Sequence, residues 1–205
     1  MELARRVGLN VTPVELTTAA GRLALLVERF DRAGSERRRL VSALTVLGLT
    51  SFPEGRYATY SALARQIRRI FANADSELRE LFGGIAFNML CGNTDDHGRN
   101  HSAFVGENLR LTPAYDICLQ ARSCTVSSQA MAYDDSGNRA ARLVLLVDAA
   151  HLYHLDRAEA QDIVTLRETV IREQWNDACE QAQLTDVARA GFWERQFLNP
   201  HVFET

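Results

Sequence analysis

Two side chains that could act together in catalysis, Asp95 and Asn100, lie five positions apart in a polar stretch at residues 92–101. An aspartate can accept the proton of an attacking hydroxyl, and the amide oxygen of an asparagine is a ligand that suits Mg²⁺. Asp116, sixteen residues after Asn100, adds a carboxylate oxygen. A tight loop at the end of a helix would turn Asp95 and Asn100 toward one cleft. These residue types in this order are compatible with magnesium-dependent transfer of a phosphoryl group to a hydroxyl, although such a spacing also occurs by chance in many proteins.

The same residues also fit simpler explanations. Asp and Asn favour turns because their side chains hydrogen-bond to nearby backbone groups, so each of them could serve only to shape a loop. Asp95, His97 and His101 could instead bind a metal such as zinc, although no thiolate or fourth ligand accompanies them. We expect Asp96 to face away from the cleft and to support the loop.

Composition narrows the possible chemistry. The chain has 205 residues, 46% of them hydrophobic, and a net charge of −3, which predicts one globular domain without a strongly basic nucleic-acid-binding face. All 23 basic residues are arginine, which excludes Schiff-base catalysis and a phosphate-binding lysine within this chain. No apolar run reaches the roughly 18 residues of a membrane span, and no signal peptide is indicated. The four irregularly spaced cysteines are expected to be reduced and mostly buried.

The elements that must position these side chains follow from hydrophobic periodicity. Two hairpins are predicted, one from residues 11–18 and 22–30, and one from 102–105 and 109–112. The second arm of the first hairpin is apolar enough to be a buried strand. Helices are predicted at 1–8, 38–47, 59–72, 75–91, 145–153, 157–183 and 185–198. Asp75 or Ser76 is the candidate N-cap of the helix that precedes the polar stretch.

Three segments, in this order along the chain, resemble the signature sequences of HipA-like serine/threonine kinases, the toxins of bacterial toxin–antitoxin modules. They are VERFDR at residues 27–32, NTDDHGRNH at 93–101 and LTPAYDI at 111–117, and the opening MELARRVGLNV at 1–11 is also similar. The spacing of Asp95 and Asn100 is that of a protein-kinase catalytic loop. The resemblance is strong up to about residue 117 and rests on helical content alone beyond about residue 140.

The resemblance implies a mostly helical α+β fold, namely a protein-kinase-like C-lobe with a small N-terminal hairpin as a remnant of the N-lobe. Residues 1–32 would be this remnant and the hinge that joins the lobes. Residues 33–205 would form the helical C-lobe, with the catalytic loop at 93–101 and the metal motif at 113–117.

The resemblance also implies roles for individual residues. Asp95 would be the catalytic base, and Asn100 and Asp116 would bind Mg²⁺. Backbone groups of Glu28 and Phe30 would reach the adenine of ATP, with the Phe30 ring packed on it. Asp31 would approach the ribose. The residues expected to bind the nucleotide are Glu28, Arg29, Phe30, Asp31, His97, Gly98, Arg99, Asn100, Tyr115 and Asp116.

The sequence departs from the family in the part that binds phosphates. The glycine-rich loop and the strand lysine of these kinases should precede residue 1, and the only similar stretch, at residues 33–35, follows the hinge and cannot replace them. We therefore expect the chain alone to be weak or inactive. It would be a fragment, the product of a truncated gene, or half of a split kinase whose N-lobe is a separate chain. An incomplete lobe would expose apolar surface over residues 11–30.

The family implies transfer of the γ-phosphoryl group of ATP to a protein serine or threonine in the bacterial cytoplasm, with aminoacyl-tRNA synthetases in the substrate class. A HipB-like antitoxin is the implied partner, and DNA would be approached only indirectly through it. No membrane association is expected. The alternative is a degenerate, non-catalytic kinase lobe that binds an antitoxin or another protein.

Two further groups of residues lie outside these motifs. Aromatic residues expected to anchor the core of the C-terminal helices are Trp175, Phe192, Trp193 and Phe197. Hydroxyl residues that fall where an activation-like or substrate-binding segment could lie are Ser123, Thr125, Ser127 and Ser128.

Overall fold

The computed structural model describes residues 1–51, 53–120 and 126–205. The α-helices are, in chain order, α1 (Glu2–Arg6), α2 (Ala43–Val46), α3 (Tyr60–Ile70), α4 (Ala74–Cys91), α5 (Leu143–Asp148), α6 (Arg157–Gln181) and α7 (Asp186–Phe192). Short 3₁₀ helices cover Pro53–Tyr57, Ala150–Tyr153 and Pro200–Phe203. Within the described residues, no helix combines the length and the apolar character needed to cross a membrane.

The strands form small antiparallel sheets, which confirms the predicted α+β, mostly helical architecture. The strands are β1 (Val14–Ala19), β2 (Arg22–Val27), β3 (Arg32–Ala33), β4 (Glu36–Arg37), β5 (Leu40–Ser42), β6 (Ser102–Phe104) and β7 (Arg110–Leu111). β1 pairs with β2, β3 with β4, and β5 with β6, which in turn pairs with β7. Both predicted hairpins are present. The turn of the first is Ala20-Gly21, where both residues have positive φ, as a two-residue hairpin turn requires.

Helix α4 is the centre of the core. Its last two turns, from Ile85 to Cys91, are buried on every side, because α3, α5, α6 and the 3₁₀ helix Ala150–Tyr153 pack around it. The helix ends at Gly92, whose left-handed backbone (φ 71°) lets its amide bond back to the carbonyls of Asn88 and Met89. These hydrogen bonds therefore fix the backbone position at which residues 92–101 leave the core.

The three-stranded sheet holds the far end of the polar stretch. Ser42 of β5 lies opposite Ser102 of β6, and the amide of Ala43 donates to the carbonyl of His101 at 2.8 Å. The prediction of one helix over residues 38–47 is therefore wrong for residues 40–42. They form β5 because β6 offers them a strand to pair with, and such tertiary pairing overrides local helix propensity.

Several other predicted features differ in the structure. Asn73, not Asp75 or Ser76, is the N-cap residue of α4, and Ser76 Oγ donates to the Asn73 carbonyl at 3.0 Å. Helix α7 stops at Phe192 because Trp193 has an extended backbone. The hairpin of β3 and β4 has no counterpart among the predicted elements.

Strand β2 is exposed rather than buried. Leu23, Leu25 and Val27 are 60%, 55% and 52% accessible, because the hairpin of β1 and β2 extends from the helical body instead of packing into it. The exposed apolar surface expected over residues 11–30 is thus present on this hairpin.

The C-terminal helices close the core as expected. Helix α6 begins with a capping box, in which the Glu159 amide donates to the Asp156 carboxylate at 2.8 Å and the Asp156 amide donates to the Glu159 carboxylate at 3.0 Å. The Trp175 ring lies 5.2 Å from that of Trp193 and 4.8 Å from that of Phe197, between centroids. Among the cysteines, Cys91 and Cys179 are buried and Cys118 is exposed. Cys124, like Ser123 and Thr125, lies outside the described residues.

Two adjacent glycines of α4 differ in their surroundings. A Cβ atom at Gly83 would collide with the guanidinium of Arg167, only 2.8 Å from Cζ, whereas a Cβ at Gly84 would meet nothing within 4 Å. Arg167 is buried on α6 and donates to the Ile163 carbonyl at 3.1 Å. Its burial lowers the pKa of Arg167 to about 10.

We expect Gly83→Ala to lower the free energy of unfolding by about 1–3 kcal/mol, because the buried arginine must move. Gly84→Ala should raise it by about 0.5–1 kcal/mol, because alanine loses less backbone entropy in a helix. Urea unfolding of the three proteins measures both effects. Equal effects of the two substitutions would contradict the close packing of α4 against α6.

Candidate functional site

The polar stretch begins as a loop tied back onto helix α4. The amide of Asn93 donates to the Asn88 carbonyl at 2.9 Å, and Asn93 Nδ2 donates to Asn88 Oδ1 at 3.1 Å. Both asparagines are buried. The last turn of α4 therefore fixes the position and direction of the first loop residue.

The middle of the loop is held by Asp96, whose carboxylate is buried. Its Oδ2 atom accepts hydrogen bonds from the Tyr60 hydroxyl at 2.5 Å and from Asn88 Nδ2 at 2.8 Å, and it lies 2.9 Å from His101 Nε2. The Tyr60 and His101 rings also pack edge to face, 5.7 Å apart. Asp96 thus joins the start of α3, the end of α4 and the end of the loop.

The charges of this cluster are balanced inside the protein. Burial by itself would raise the pKa of Asp96, but the nearby His101 and the hydrogen bonds outweigh it, so the pKa lies below its usual range. For His101, burial lowers the pKa, and the Asp96 carboxylate more than compensates and raises it. Burial and the same carboxylate raise the pKa of Tyr60 well above its usual value, so its hydroxyl remains a donor.

Asp95, the residue before Asp96, is exposed. The chain then turns, and the amide of Asn100 donates to the His97 carbonyl at 2.8 Å. Asn100 is buried and lines a cavity of about 50 Å³ together with Asp96 and Tyr115. Asp95 and Asn100 are therefore held on one loop, with the first open to solvent and the second turned inward.

The turn itself packs closely against the protein. A Cβ atom at Gly98 would lie 2.7 Å from Leu44 Cδ2 and 3.2 Å from Ala58 Cβ, so a glycine allows this approach. His97 Nδ1 is buried, and no residue in the described part of the chain hydrogen-bonds to it. This nitrogen is a polar atom at the site that a ligand or a water molecule could satisfy.

Asp116 comes directly after Tyr115, whose hydroxyl contacts the loop. It is exposed and has a left-handed backbone with φ 57°, a conformation that aspartate tolerates better than most residues. Asn100 and Asp116 offer an amide and a carboxylate oxygen, and Mg²⁺ is usually held by one or two protein oxygens together with substrate phosphates and waters. The chemistry of the two donors therefore suits Mg²⁺. No group of three or more His, Cys, Asp or Glu side chains that could hold a metal occurs among residues 1–51, 53–120 and 126–205.

The expected hinge contacts the loop region through the aromatic ring of Phe30. The Phe30 ring lies 5.5 Å from that of Tyr115 and 5.9 Å from that of Phe104, between centroids. The Tyr115 hydroxyl donates to the Arg99 carbonyl at 2.6 Å and lies 2.7 Å from Ser102 Oγ. Burial raises the pKa of Tyr115. Phe30 thus contacts Tyr115, and Tyr115 is in turn hydrogen-bonded to the loop.

The polar groups of the expected hinge already have partners inside the protein. The Glu28 amide donates to the Pro13 carbonyl at 2.9 Å, and the Glu28 carbonyl accepts from Thr12 Oγ1 at 2.7 Å. The Asp31 carboxylate accepts two hydrogen bonds from Arg29, at 2.8 and 2.6 Å, and this arginine holds the pKa of Asp31 below its usual value. A nucleotide would have to share these groups, whereas the Phe30 ring already faces the site.

The sequence did not point to the residues that hold the loop from outside. Tyr60 and Asn88 lie 36 and 8 positions before Asp96, on helices whose apolar spacing suggested only core packing. Phe104 and Ser102 belong to a predicted strand, with no sign that Phe104 would meet Phe30 or that Ser102 would meet Tyr115. A buried polar residue in an apolar helix, as at Asn88, is the one signal that could have been read.

The adjacent aspartates of the loop should respond in opposite ways to the same substitution. We expect Asp96→Asn to lower the free energy of unfolding by about 2–4 kcal/mol, because it leaves the buried donors of Tyr60 and His101 without their charged acceptor. Asp95→Asn should change it by less than about 0.5 kcal/mol, because that side chain is exposed. Urea unfolding measures both. A small effect of Asp96→Asn would show that the buried cluster does not hold the loop.

Comparison with known sequences places the chain beside kinases. It is 33% identical over 126 residues to the Sinorhizobium fredii protein Y4mE, covering 57% of this chain and 30% of that protein. It is 31% identical over 137 residues to the serine/threonine-protein kinase toxin HipA of Shewanella oneidensis, covering 57% and 32%. The chain therefore spans about a third of the length of these relatives.

Comparison with solved structures gives the fold. The chain matches a structure of the Shewanella oneidensis HipA, HipB and operator DNA complex with a TM-score of 0.74 and 22% identity, over 94% of this chain and 50% of that one. It matches the Helicobacter pylori proinflammatory kinase CtkA with a TM-score of 0.57 and 14% identity, over 94% and 80%. The fold is thus that of a kinase-like lobe. A model of the HipA-like C-terminal domain matches residues 1–185, most of the chain, and the protein belongs to that family.

Proposed function

We propose that this chain is the C-lobe part of a serine/threonine protein kinase that transfers the γ-phosphoryl group of ATP to a protein. Residues 1–32 would be the hinge and the remnant of the N-lobe, and residues 33–205 the C-lobe. The observation that carries the proposal is the loop at residues 93–101, on which buried Asp96 holds exposed Asp95 and inward-turned Asn100 in a fixed relation. Membership of the HipA-like family supports it.

The proposal gives each side chain a task that its position allows. Asp95, open to solvent, would accept the proton of a serine or threonine hydroxyl as its oxygen attacks the γ-phosphorus and ADP leaves. Asn100 and Asp116 would hold Mg²⁺, which neutralises charge on the phosphates. Phe30 would pack against the adenine, and the turn at His97, Gly98 and Arg99 would face the phosphates.

Part of the charge stabilisation must come from elsewhere. Kinases obtain most of their rate from groups that position and neutralise the phosphates, and the 205 residues contain no lysine and no glycine-rich loop before the hinge. We propose that a phosphate-binding lobe, encoded upstream or carried by a separate polypeptide, completes the site. The chain alone would then bind Mg-ATP weakly and transfer phosphate very slowly.

The hairpin of β1 and β2 is the surface that such a lobe would cover. Cross-strand pairing places Val14, Leu16 and Thr18 on the same face as Val27, Leu25 and Leu23. This apolar face is largely exposed, and a two-stranded ribbon is marginal in water on its own. The hairpin continues directly into the hinge at Glu28, so a lobe docked here would lie over the nucleotide.

The wider setting is proposed from the relatives. A HipB-like antitoxin is the proposed binding partner, because a HipA neighbour is known in complex with HipB and operator DNA. DNA would be reached only through that antitoxin. A protein of the aminoacyl-tRNA synthetase class is the proposed substrate, and the bacterial cytoplasm the proposed location.

A second candidate function is a non-catalytic lobe that binds an antitoxin or another protein. The absence of lysine from the sequence favours it, because the usual phosphate-binding side chain is then missing. The two candidates differ in one measurable property, the magnesium-dependent binding of ATP.

We expect calorimetry to show weak binding of ATP to the purified chain that tightens at least several-fold with Mg²⁺. Asp116→Ala should remove the magnesium effect, because it deletes a carboxylate ligand. Asp162→Asn, an exposed change on α6, is the matched control and should bind like the wild type. Absence of magnesium-dependent binding from the wild type would contradict the kinase proposal and favour the binding lobe.

The apolar hairpin face should cause self-association when no other lobe covers it. We expect the purified chain to form dimers or larger species at concentrations in the micromolar range. Leu25→Glu should shift it to monomer, because it places a charge on the apolar face. Leu26→Glu, equally exposed on the opposite face, should not. Sedimentation velocity measures the change, and a monomeric wild type would contradict the proposed docking face.

A further inference from the structure

We infer that Tyr115 is a positioning residue that couples the hinge to the catalytic loop, so that the hinge and the magnesium ligands respond to each other. This inference rests on the proposed function, because it concerns the same nucleotide site. It changes the expectation for Tyr115 itself, which the resemblance placed among the residues that touch the nucleotide. The hydroxyl of Tyr115 is engaged inside the protein, where it acts on the groups that would make that contact.

The first half of the coupling is the contact between rings. Phe30 leans on Tyr115 with a centroid distance of 5.5 Å and an interplanar angle of 40°, and on Phe104 edge to face at 5.9 Å. Such ring pairs favour particular geometries, so a shift of Phe30 is transmitted to its neighbours. Phe30 is the one aromatic residue of the expected hinge, and it moves with any ligand that displaces it.

The second half of the coupling is the hydrogen bonding of the Tyr115 hydroxyl. The hydroxyl donates to the carbonyl of Arg99 at 2.6 Å and lies 2.7 Å from Ser102 Oγ, one residue before and two after Asn100. The tyrosine therefore bonds to the backbone just before Asn100 and to the Ser102 side chain just after it. It also precedes Asp116 in the chain, so both proposed magnesium ligands adjoin groups that this one side chain fixes.

The backbone leading to Tyr115 is held by the segment that leads to the hairpin. The Ala114 amide donates to the Asn10 carbonyl at 2.7 Å, and the Thr12 amide donates to the Ala114 carbonyl at 2.9 Å. Thr12 Oγ1 in turn donates to the Glu28 carbonyl at the hinge. Tyr115 thus connects the hinge to the loop at residues 93–101, two parts of the site that are distant in sequence.

Coupling of this kind has a thermodynamic signature. If Tyr115 links the two parts, the gain in ATP affinity caused by Mg²⁺ must depend on it, and linkage makes the effect reciprocal. Tyr115→Phe keeps the ring and removes the hydroxyl. We expect it to move the ratio of ATP dissociation constants without and with Mg²⁺ toward one, by up to the roughly 3- to 10-fold expected for one hydrogen bond.

The chain offers a matched control in Tyr133. Its hydroxyl also donates to a backbone carbonyl, that of Ala140 at 2.9 Å, in a segment that does not line the cavity beside Asn100. Tyr133→Phe removes the same kind of bond and should leave the magnesium ratio unchanged. A purely structural role for Tyr115 would lower stability in both variants and leave both ratios at the wild-type value, which would overturn the inference.

Hydrogen exchange tests the coupling without any nucleotide. The Asn100 amide is bonded to the His97 carbonyl, and its exchange reports how firmly the turn is held. We expect Tyr115→Phe and Phe30→Leu to speed this exchange by several-fold and Tyr133→Phe to leave it unchanged. Unchanged exchange in Tyr115→Phe would overturn the inference. Failure of the wild type to bind ATP would instead overturn the proposed function, and the exchange result would still decide the role of Tyr115.

Discussion

The loop at residues 93–101 depends on one buried carboxylate. Removing a carboxylate from water costs several kcal/mol, and the Asp96 side chain is stable in the interior only because Tyr60, Asn88 and His101 surround its Oδ2 atom. These donors come from three separate elements, so the carboxylate can be satisfied only when α3, α4 and the start of β6 are packed together. The geometry of the loop is therefore a consequence of the whole helical core, and an error in packing anywhere in that core would reach the loop through this charge.

The same constraint explains why two neighbouring aspartates have different properties. The interior hydrogen bonds hold the Asp96 carboxylate, and the Asp95 side chain beside it is left exposed to solvent. The turn that follows packs closely against the protein, because Gly98 lies against Leu44 and Ala58, where a Cβ atom would be crowded. A short backbone bond from Asn100 to His97 then turns Asn100 inward. The buried Asp96 carboxylate and the close packing of Gly98 thus shape the short loop on which Asp95 is exposed and Asn100 is buried.

The sequence predicted the features that are local and failed on those that depend on distant contacts. The helices α3, α4 and α6, the two hairpins and the polar loop follow from spacing within a few turns. Strand β5 could not be predicted, because its partner β6 is sixty residues away and the segment reads as helix when taken alone. Tyr60 could not be assigned to the site for the same reason, since only the folded chain brings its hydroxyl to Asp96. The roles proposed for Asp95, Asn100 and Asp116 rest on the resemblance to HipA-like kinases, and the structure adds how the loop that carries the first two is held.

The two parts of the chain differ in how they are stabilised, and this difference bears on function. The helical body buries a continuous core around α4, and hydrogen bonds tie the loop at residues 93–101 to that core. The β1–β2 hairpin has no such core of its own, and its apolar face remains in water. The rigid half thus carries the groups that would receive a proton and hold a metal, while the exposed half carries the surface where phosphate-binding groups would arrive. In the proposed kinase, a site divided in this way would bind before it could react, because stabilisation of the transition state would need the phosphate-binding groups of another lobe.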